Sequence, residues 1–177
     1  EEYNAKLIMG DTALANKINI EEWIYQTGVP ANCFVFTSVR FEKVDEALSS
    51  WISGAVTPEK LGTNNWSTHE WLRFVNGLPK MSVEQMTSLD NAFHFTETGN
   101  SEVADAWFIH ALRNGYEPAY PAIESFLTTV GRRKFLTPLY KEMLKSEKGK
   151  EMAKAIYAKA RPNYHYVATQ TIDGLMK

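Results

Sequence analysis

The sequence predicts an all-α fold of stacked helical hairpins, an α-solenoid. Apolar residues recur at helical spacing from residue 66 onward. Helix-start signals fall near residues 67, 82, 101, 118, 138 and 148, so helix pairs begin near 67, 101 and 138, at intervals of 34 and 37 residues. A length of 177 residues with 44% apolar and 23% charged residues, including five Trp and nine Phe, suits one domain with a real core.

The first 60 residues are the less regular part. Asn19 with Glu22 opens a short helix through Trp23 and Tyr25. Gly28-Val29-Pro30 marks a turn. Residues 32–40 (NCFVFTSVR) are apolar and irregular, as expected of an extended stretch packed on a neighbour. Phe41 to Ile52 reads as a helix, and Gly54, Pro58 and Gly62-Thr63-Asn64-Asn65 mark a loop.

Residues 61–177 are regular. Ser67 with Glu70 and Ser82 with Gln85 have the spacing of capping boxes. Residues 101–113 carry a wide apolar band (Val103, Ala104, Trp107, Phe108, Ile109, Leu112), which predicts a central, buried helix. In residues 118–130, Ala119, Ala122, Ile123, Phe126, Leu127 and Val130 fall on one helical face, with Pro118 in the first turn and Gly131 at the stop. Thr137 before Pro138 reads as an N-cap followed by proline at the first helical position. Met152, Ile156, Tyr157 and Ala160 mark another helix.

The residues that could carry chemistry do not assemble a catalytic centre. Cys33 is the only cysteine, which rules out an intrachain disulfide and a multi-cysteine metal site; it reads as a small buried hydrophobe. His69-Glu70-Trp71-Leu72-Arg73 resembles a zinc-hydrolase helix, but a cation stands where the second histidine is needed. His94, His110 and His165 have no His or Cys partner three or four residues away. There is no phosphate-loop glycine pattern and no Gly-x-Ser-x-Gly turn. The adjacent carboxylates Glu1-Glu2 and Glu21-Glu22 diverge on the surface. No apolar run reaches the 18 or so residues of a membrane span. The chain starts at Glu1 without a signal-peptide pattern, as expected of a mature product or a piece of a longer chain, so its compartment cannot be read.

One feature stands apart from this background. Residues 131–177 hold eleven Lys or Arg against four Asp or Glu, a local charge of +7 in a chain of net charge −2. Within them, Arg132, Arg133 and Lys134 follow Gly131 in a short connector between two expected helices. Arg offers a planar fork for a carboxylate and Lys a mobile point charge, so the pair suits an anion of carboxylate or phosphate size. Cations beyond a helix C-terminus also complement its dipole, which alone would account for their presence.

The stretch GRRKFLTPLY (131–140) resembles the corresponding turn and helix start in the C-terminal helical domain of zinc aminopeptidases related to leukotriene A4 hydrolase. Three other stretches agree, in order along the chain. WIYQTGVP (23–30) is similar to the segment where the family's chain leaves the catalytic domain, residues 66–74 to its first helices here, and RPNYH (161–165) through Ile172-Asp173 to the tail of its bacterial members. The resemblance implies a superhelical stack of antiparallel helix pairs, of armadillo or HEAT type. Residues 1–60 would be the linker leaving the catalytic domain, and 61–177 the helical-repeat C-terminal domain. It implies that Arg132 and Lys134 bind the carboxylate of a peptide or lipid substrate, while Arg133 gains no role. Zinc, general base and transition-state tyrosine would lie in the preceding domain, leaving no metal, cofactor or catalytic residue in this chain.

The expected function is therefore that of an accessory domain of a zinc metalloaminopeptidase that trims N-terminal residues from peptides. It would line the substrate cleft and be inactive alone. Its expected partners are the catalytic domain of the same polypeptide and the peptide substrate, with neither nucleic acid nor a membrane span. Phe34, Phe36 and Phe41 form an expected apolar patch that could drive self-association of the separated domain. The alternative is a free-standing α-solenoid that binds a protein partner.

Overall fold

The structure, a computed structural model, describes residues 9–34 and 37–177. Glu1-Glu2 and Phe36 lie outside the described residues. The chain divides into two compact units, residues 1–38 and 39–177. The helix expected over 41–52 falls in the second of these units.

In the first unit, α1 (Thr12–Ile18) is capped by Asp11, whose carboxylate accepts from the amides of Ala13 and Leu14 at 3.0 Å each. Helix α2 (Ile20–Tyr25) follows directly. Asn19, expected as its N-cap, instead takes the left-handed conformation that ends α1, and its side chain donates to the Glu22 carboxylate rather than capping the backbone. Asn32 binds the unit together. Its amide donates to the carbonyls of Lys17 and Ile18 at 2.9 and 2.7 Å, and its oxygen accepts from the Trp23 indole at 3.0 Å. The carbonyls at the end of α1 thus gain a side-chain partner. Cys33 is half-buried rather than fully buried.

The second unit contains α3 (Val39–Ile52), α4 (Thr68–Asn76), α5 (Val83–Phe93), α6 (Ser101–Asn114), α7 (Tyr120–Thr129), α8 (Arg133–Met143), α9 (Glu147–Ala160) and α10 (Tyr166–Leu175). No strand occurs among the described residues. Both expected capping boxes, at Ser67/Glu70 and Ser82/Gln85, are formed. Asn100 caps α6, and Ser146 caps α9.

Helices α4, α6, α8 and α10 stand in a row, each packed on the next, with α3 against α4. Helix α7 packs on α9, and α9 folds back on α8. Every second helix from α4 to α10 thus packs on the next, and of the expected pairs α8 and α9 pack directly together. The apolar stripes explain it, because each helix hides one face and only neighbouring helices can cover it. Trp107 of the central helix α6 is fully buried, as are Phe74, Ile123, Leu136, Leu139 and Ile172. Each such side chain contributes roughly 1.5–3 kcal/mol.

Helix α8 departs from expectation. It begins at Arg133, not near 138, so Thr137 is an interior residue and Pro138 lies within the helix. Proline has no N–H to donate to the Lys134 carbonyl one turn back, a local penalty. Tertiary burial outweighs it: Phe135, Leu136, Leu139, Tyr140 and Met143 make one buried stripe over the whole length of α8.

Candidate functional site

Helix α7 ends at Thr129, and Val130 closes it by donating to the Phe126 carbonyl at 2.8 Å. Gly131 follows in ordinary backbone, so it is not the left-handed helix stop expected. Tyr164, from the 3-10 turn Arg161–Asn163 and its exit, fixes the end of α7 from below. Its hydroxyl donates to the Leu127 carbonyl at 2.5 Å, and its ring lies 4.0 Å from where a Gly131 side chain would begin. The turn between α7 and α8 is therefore short and anchored.

Arg132 is the N-cap of α8, and Arg133 and Lys134 are its first two residues. All three are exposed. Their placement reverses the stabilising reading available from sequence. Cations at a helix N-terminus face the positive end of the dipole and each cost about 0.3–1 kcal/mol there. The amides of Phe135 and Leu136 both donate to the Arg132 carbonyl, at 2.9 and 3.2 Å, which leaves the amides of Arg133 and Lys134 as the unsatisfied donors of the first turn. Two backbone donors and the side chains of Arg132 and Lys134 thus share one helix end, an arrangement suited to an anion.

Phe135 organises the two cations that the resemblance singles out. Its buried ring packs edge-on against Phe126 at 5.9 Å. The Arg132 guanidinium lies 5.7 Å and the Lys134 ammonium 5.4 Å from the ring centre. Both side chains are thereby held on the same ring. Arg132 has no ion-pair partner among the described residues, whereas Lys134 Nζ donates to both oxygens of Glu102 on α6, at 2.6 and 2.5 Å. One turn along α6, Asp105 is half-buried, with Oδ1 without a partner. Burial pushes its carboxyl up to about 7; the Glu102 charge adds to this and Lys134 opposes it. Sequence reasoning passed over Glu102 and Asp105. The available signal is two acids three residues apart in the first half of a helix with a wide apolar band.

The other candidates are structural. Glu70 accepts from Arg40 at 2.6 and 3.0 Å and from the Ser67 amide and hydroxyl at 2.9 and 2.8 Å. Chiefly because of Arg40, its carboxyl sits at about 2. Arg73 forks onto Asp45 of α3 at 2.7 and 2.6 Å and covers the ring of Phe41, which is therefore half-buried rather than part of an exposed patch. Burial lowers the pKa of His110, which is hydrogen-bonded to the Val75 backbone. His94 ends α5 and His165 caps α10. Among the described residues, no three His, Cys, Asp or Glu converge as metal ligands would. No helix among the described residues is long and apolar enough to cross a membrane.

A family model for the C-terminal region of leukotriene A4 hydrolase matches residues 66–176. The chain belongs to this family. It is 28% identical over 167 residues to leucine aminopeptidase 2 of Neurospora crassa, with 90% of this chain and 25% of that protein covered. With leucine aminopeptidase 2 of Pyricularia oryzae it shares 30% identity over 160 residues, covering 86% of this chain and 25% of the relative. Leukotriene A-4 hydrolase of Xenopus laevis is 22% identical over 173 residues, with 90% and 27% covered. The chain thus spans about a quarter of the length of these relatives. Native yeast leukotriene A4 hydrolase superposes with a TM-score of 0.78 at 18% identity, over 97% of this chain and 31% of that one, which shows the fold. The all-α architecture and the family expected from the GRRKFLTPLY stretch are both met.

Proposed function

We propose that this chain is the accessory C-terminal domain of a zinc aminopeptidase and that Arg132 and Lys134 bind the carboxylate of a peptide substrate. The observation that carries the reading is the gathering of both cations on Phe135 at the start of α8, where their charge works against the helix and Arg132 has no ion-pair partner among the described residues. Such placement suits an anionic ligand better than it suits the fold. The relatives are named as aminopeptidases and hydrolases, and the chain spans about a quarter of their length, which leaves room for catalysis by residues outside it.

In this role the domain performs no bond-breaking step. Arg132 takes the carboxylate through its planar fork, Lys134 adds a second charge, and the amides of Arg133 and Lys134 complete the cradle. Fixing that end of a short peptide holds its N-terminal bond in register with a zinc centre supplied elsewhere in the polypeptide. Exposed Trp23, Ile24, Tyr25, Val29 and Phe34 in the first unit suit burial against the catalytic domain.

The test is Arg132→Ala in the full-length enzyme. It should lower kcat/KM for a tripeptide by roughly 10- to 1000-fold, equivalent to losing about 1.4–4 kcal/mol of charge-assisted binding. The same tripeptide with an amidated C-terminus should be affected little. Unchanged kinetics on the free tripeptide would sink the clamp.

A further inference from the structure

We infer that Glu102 is an internal competitor for the ligand of Lys134, seated on the ammonium group until a carboxylate displaces it, and that Asp105 sets how strongly this acidic pair opposes the incoming anion. This rests on the carboxylate-binding reading of Arg132 and Lys134.

Three observations carry it. Lys134 is engaged by both oxygens of Glu102, at 2.5 and 2.6 Å, which is the geometry a ligand carboxylate would adopt. The pair is accessible, with the Lys134 side chain 54% and the Glu102 side chain 35% exposed, so it is the weak kind of ion pair that another carboxylate can replace. Asp105 stands three residues from Glu102 on α6, on the same face, and keeps a buried oxygen without a hydrogen-bond partner. A carboxyl oxygen buried without a partner costs stability.

The electrostatics follow from that placement. The charges that act on Asp105 are Glu102, on its own helix, and Lys134, on α8. The remaining charged groups on elements packed against α6 have their own settings. On α4, Glu70 is paired with Arg40 and Arg73 with Asp45, and His69 is exposed. On α8, Glu142 holds Arg113 and Lys145, while Arg133 and Lys141 point to solvent. In the 3-10 turns, Glu97 is exposed and Glu117 is paired with Lys148. Protonated, Asp105 leaves Lys134 facing a single negative charge. Ionised, it adds a second, and an arriving carboxylate meets more repulsion. With the Asp105 carboxyl at about 7, carboxylate affinity should fall as pH rises from 6 to 8.

The experiment is a titration of the full chain with tri-alanine, followed by NMR on the backbone amides of residues 132–135 at pH 6 and pH 8. Tri-alanine amide serves as the control without a carboxylate. The wild-type chain should bind tri-alanine more tightly at pH 6, and the amide should leave these signals unmoved. Glu102→Gln should tighten binding by about two- to fivefold, the span set by an exposed ion pair. Asp105→Asn should hold the pH 8 affinity at the pH 6 value, and Arg132→Ala should weaken binding at both. Glu102→Gln at a partly exposed position keeps the test decisive even if Asp105→Asn perturbs the fold. If Arg132→Ala weakens binding but Glu102→Gln does not tighten it, the competitor falls and the carboxylate site stands. If tri-alanine moves no signal in either the wild type or Glu102→Gln, the site and the competitor fall together.

Discussion

The Tyr164 hydroxyl donates to the Leu127 carbonyl at 2.5 Å, and Tyr140 meets the same hydroxyl at 3.2 Å. Because the Tyr164 proton is committed to Leu127, Tyr140 is the donor in the second bond. Leu127 lies in the last turn of α7, where carbonyls lack helical partners. One tyrosine therefore joins α7, α8 and the chain leading into α10, directly beneath the basic turn.

Tyr164→Phe should lower stability by about 1–3 kcal/mol, because it leaves a buried carbonyl and the Tyr140 hydroxyl without partners. Tyr140→Phe should lose less, about 1 kcal/mol or under, since Tyr164 keeps its acceptor. The double variant should lose less than the sum of the two. Urea midpoints at constant slope measure all three. Equal losses for the two single variants would contradict the direction assigned to the bonds.

Gly149 makes a different demand. A Cβ there would lie 2.0 Å from the Met143 carbonyl oxygen and 2.8 Å from Ser146 Oγ. The obstacle is backbone at the end of α8, which cannot swing aside as a side chain can. Gly149→Ala should therefore destabilise by about 1–3 kcal/mol, despite the better helix propensity of alanine. Gly174→Ala on α10, where a Cβ meets nothing within 4 Å, is the control and should be neutral or slightly stabilising. The pair is read by thermal melting.

Glu70 ties the start of α4 to Arg40 of α3. Its carboxyl falls from 4.5 to about 2 in the folded chain, so the contribution is fully present above pH 4.5 and lost as pH falls towards 2. Glu70→Gln should destabilise at neutral pH and flatten the acid limb of the stability curve between pH 4.5 and 2. Denaturant midpoints across that range check it, and an acid limb of unchanged slope would show that the ion pair contributes nothing.

The helical stack could be read from sequence because its signals are local and periodic. The stripes around Trp107 and Ile123 and the boxes at Ser67 and Ser82 fall within single helices. The start of α8 could not, because Thr137-Pro138 is a strong local start signal and only tertiary burial of Phe135 and Leu136 overrides it. The same limit applies to the candidate site. Arg132 and Lys134 announce themselves as charge in a short connector. Glu102 lies 32 residues from Lys134 in sequence and meets it only through the packing of α6 on α8. Asn19 shows the converse: its cap-like spacing is real, but the immediate succession of two short helices turns it into a left-handed link.

His110 provides a pH test of that packing. It is buried on α6 beside Arg113, and its pKa falls below the usual 6.5, first through burial and then through the Arg113 charge. A base with a lowered folded pKa binds fewer protons folded than unfolded. Stability should therefore drop as pH falls below 6.5, with a slope no steeper than about 1.4 kcal/mol per pH unit for one proton. Asp105 works in the opposite sense over an overlapping range: its raised carboxyl binds more protons when folded, so its contribution to stability falls as pH rises from 3.8 towards 7. The two must be separated. In an Asp105→Asn background, stability should fall on acidification below pH 6.5, and adding His110→Gln should remove most of that fall. If the slope persists without His110, the acid sensitivity belongs elsewhere, and the imidazole is not held neutral by its surroundings.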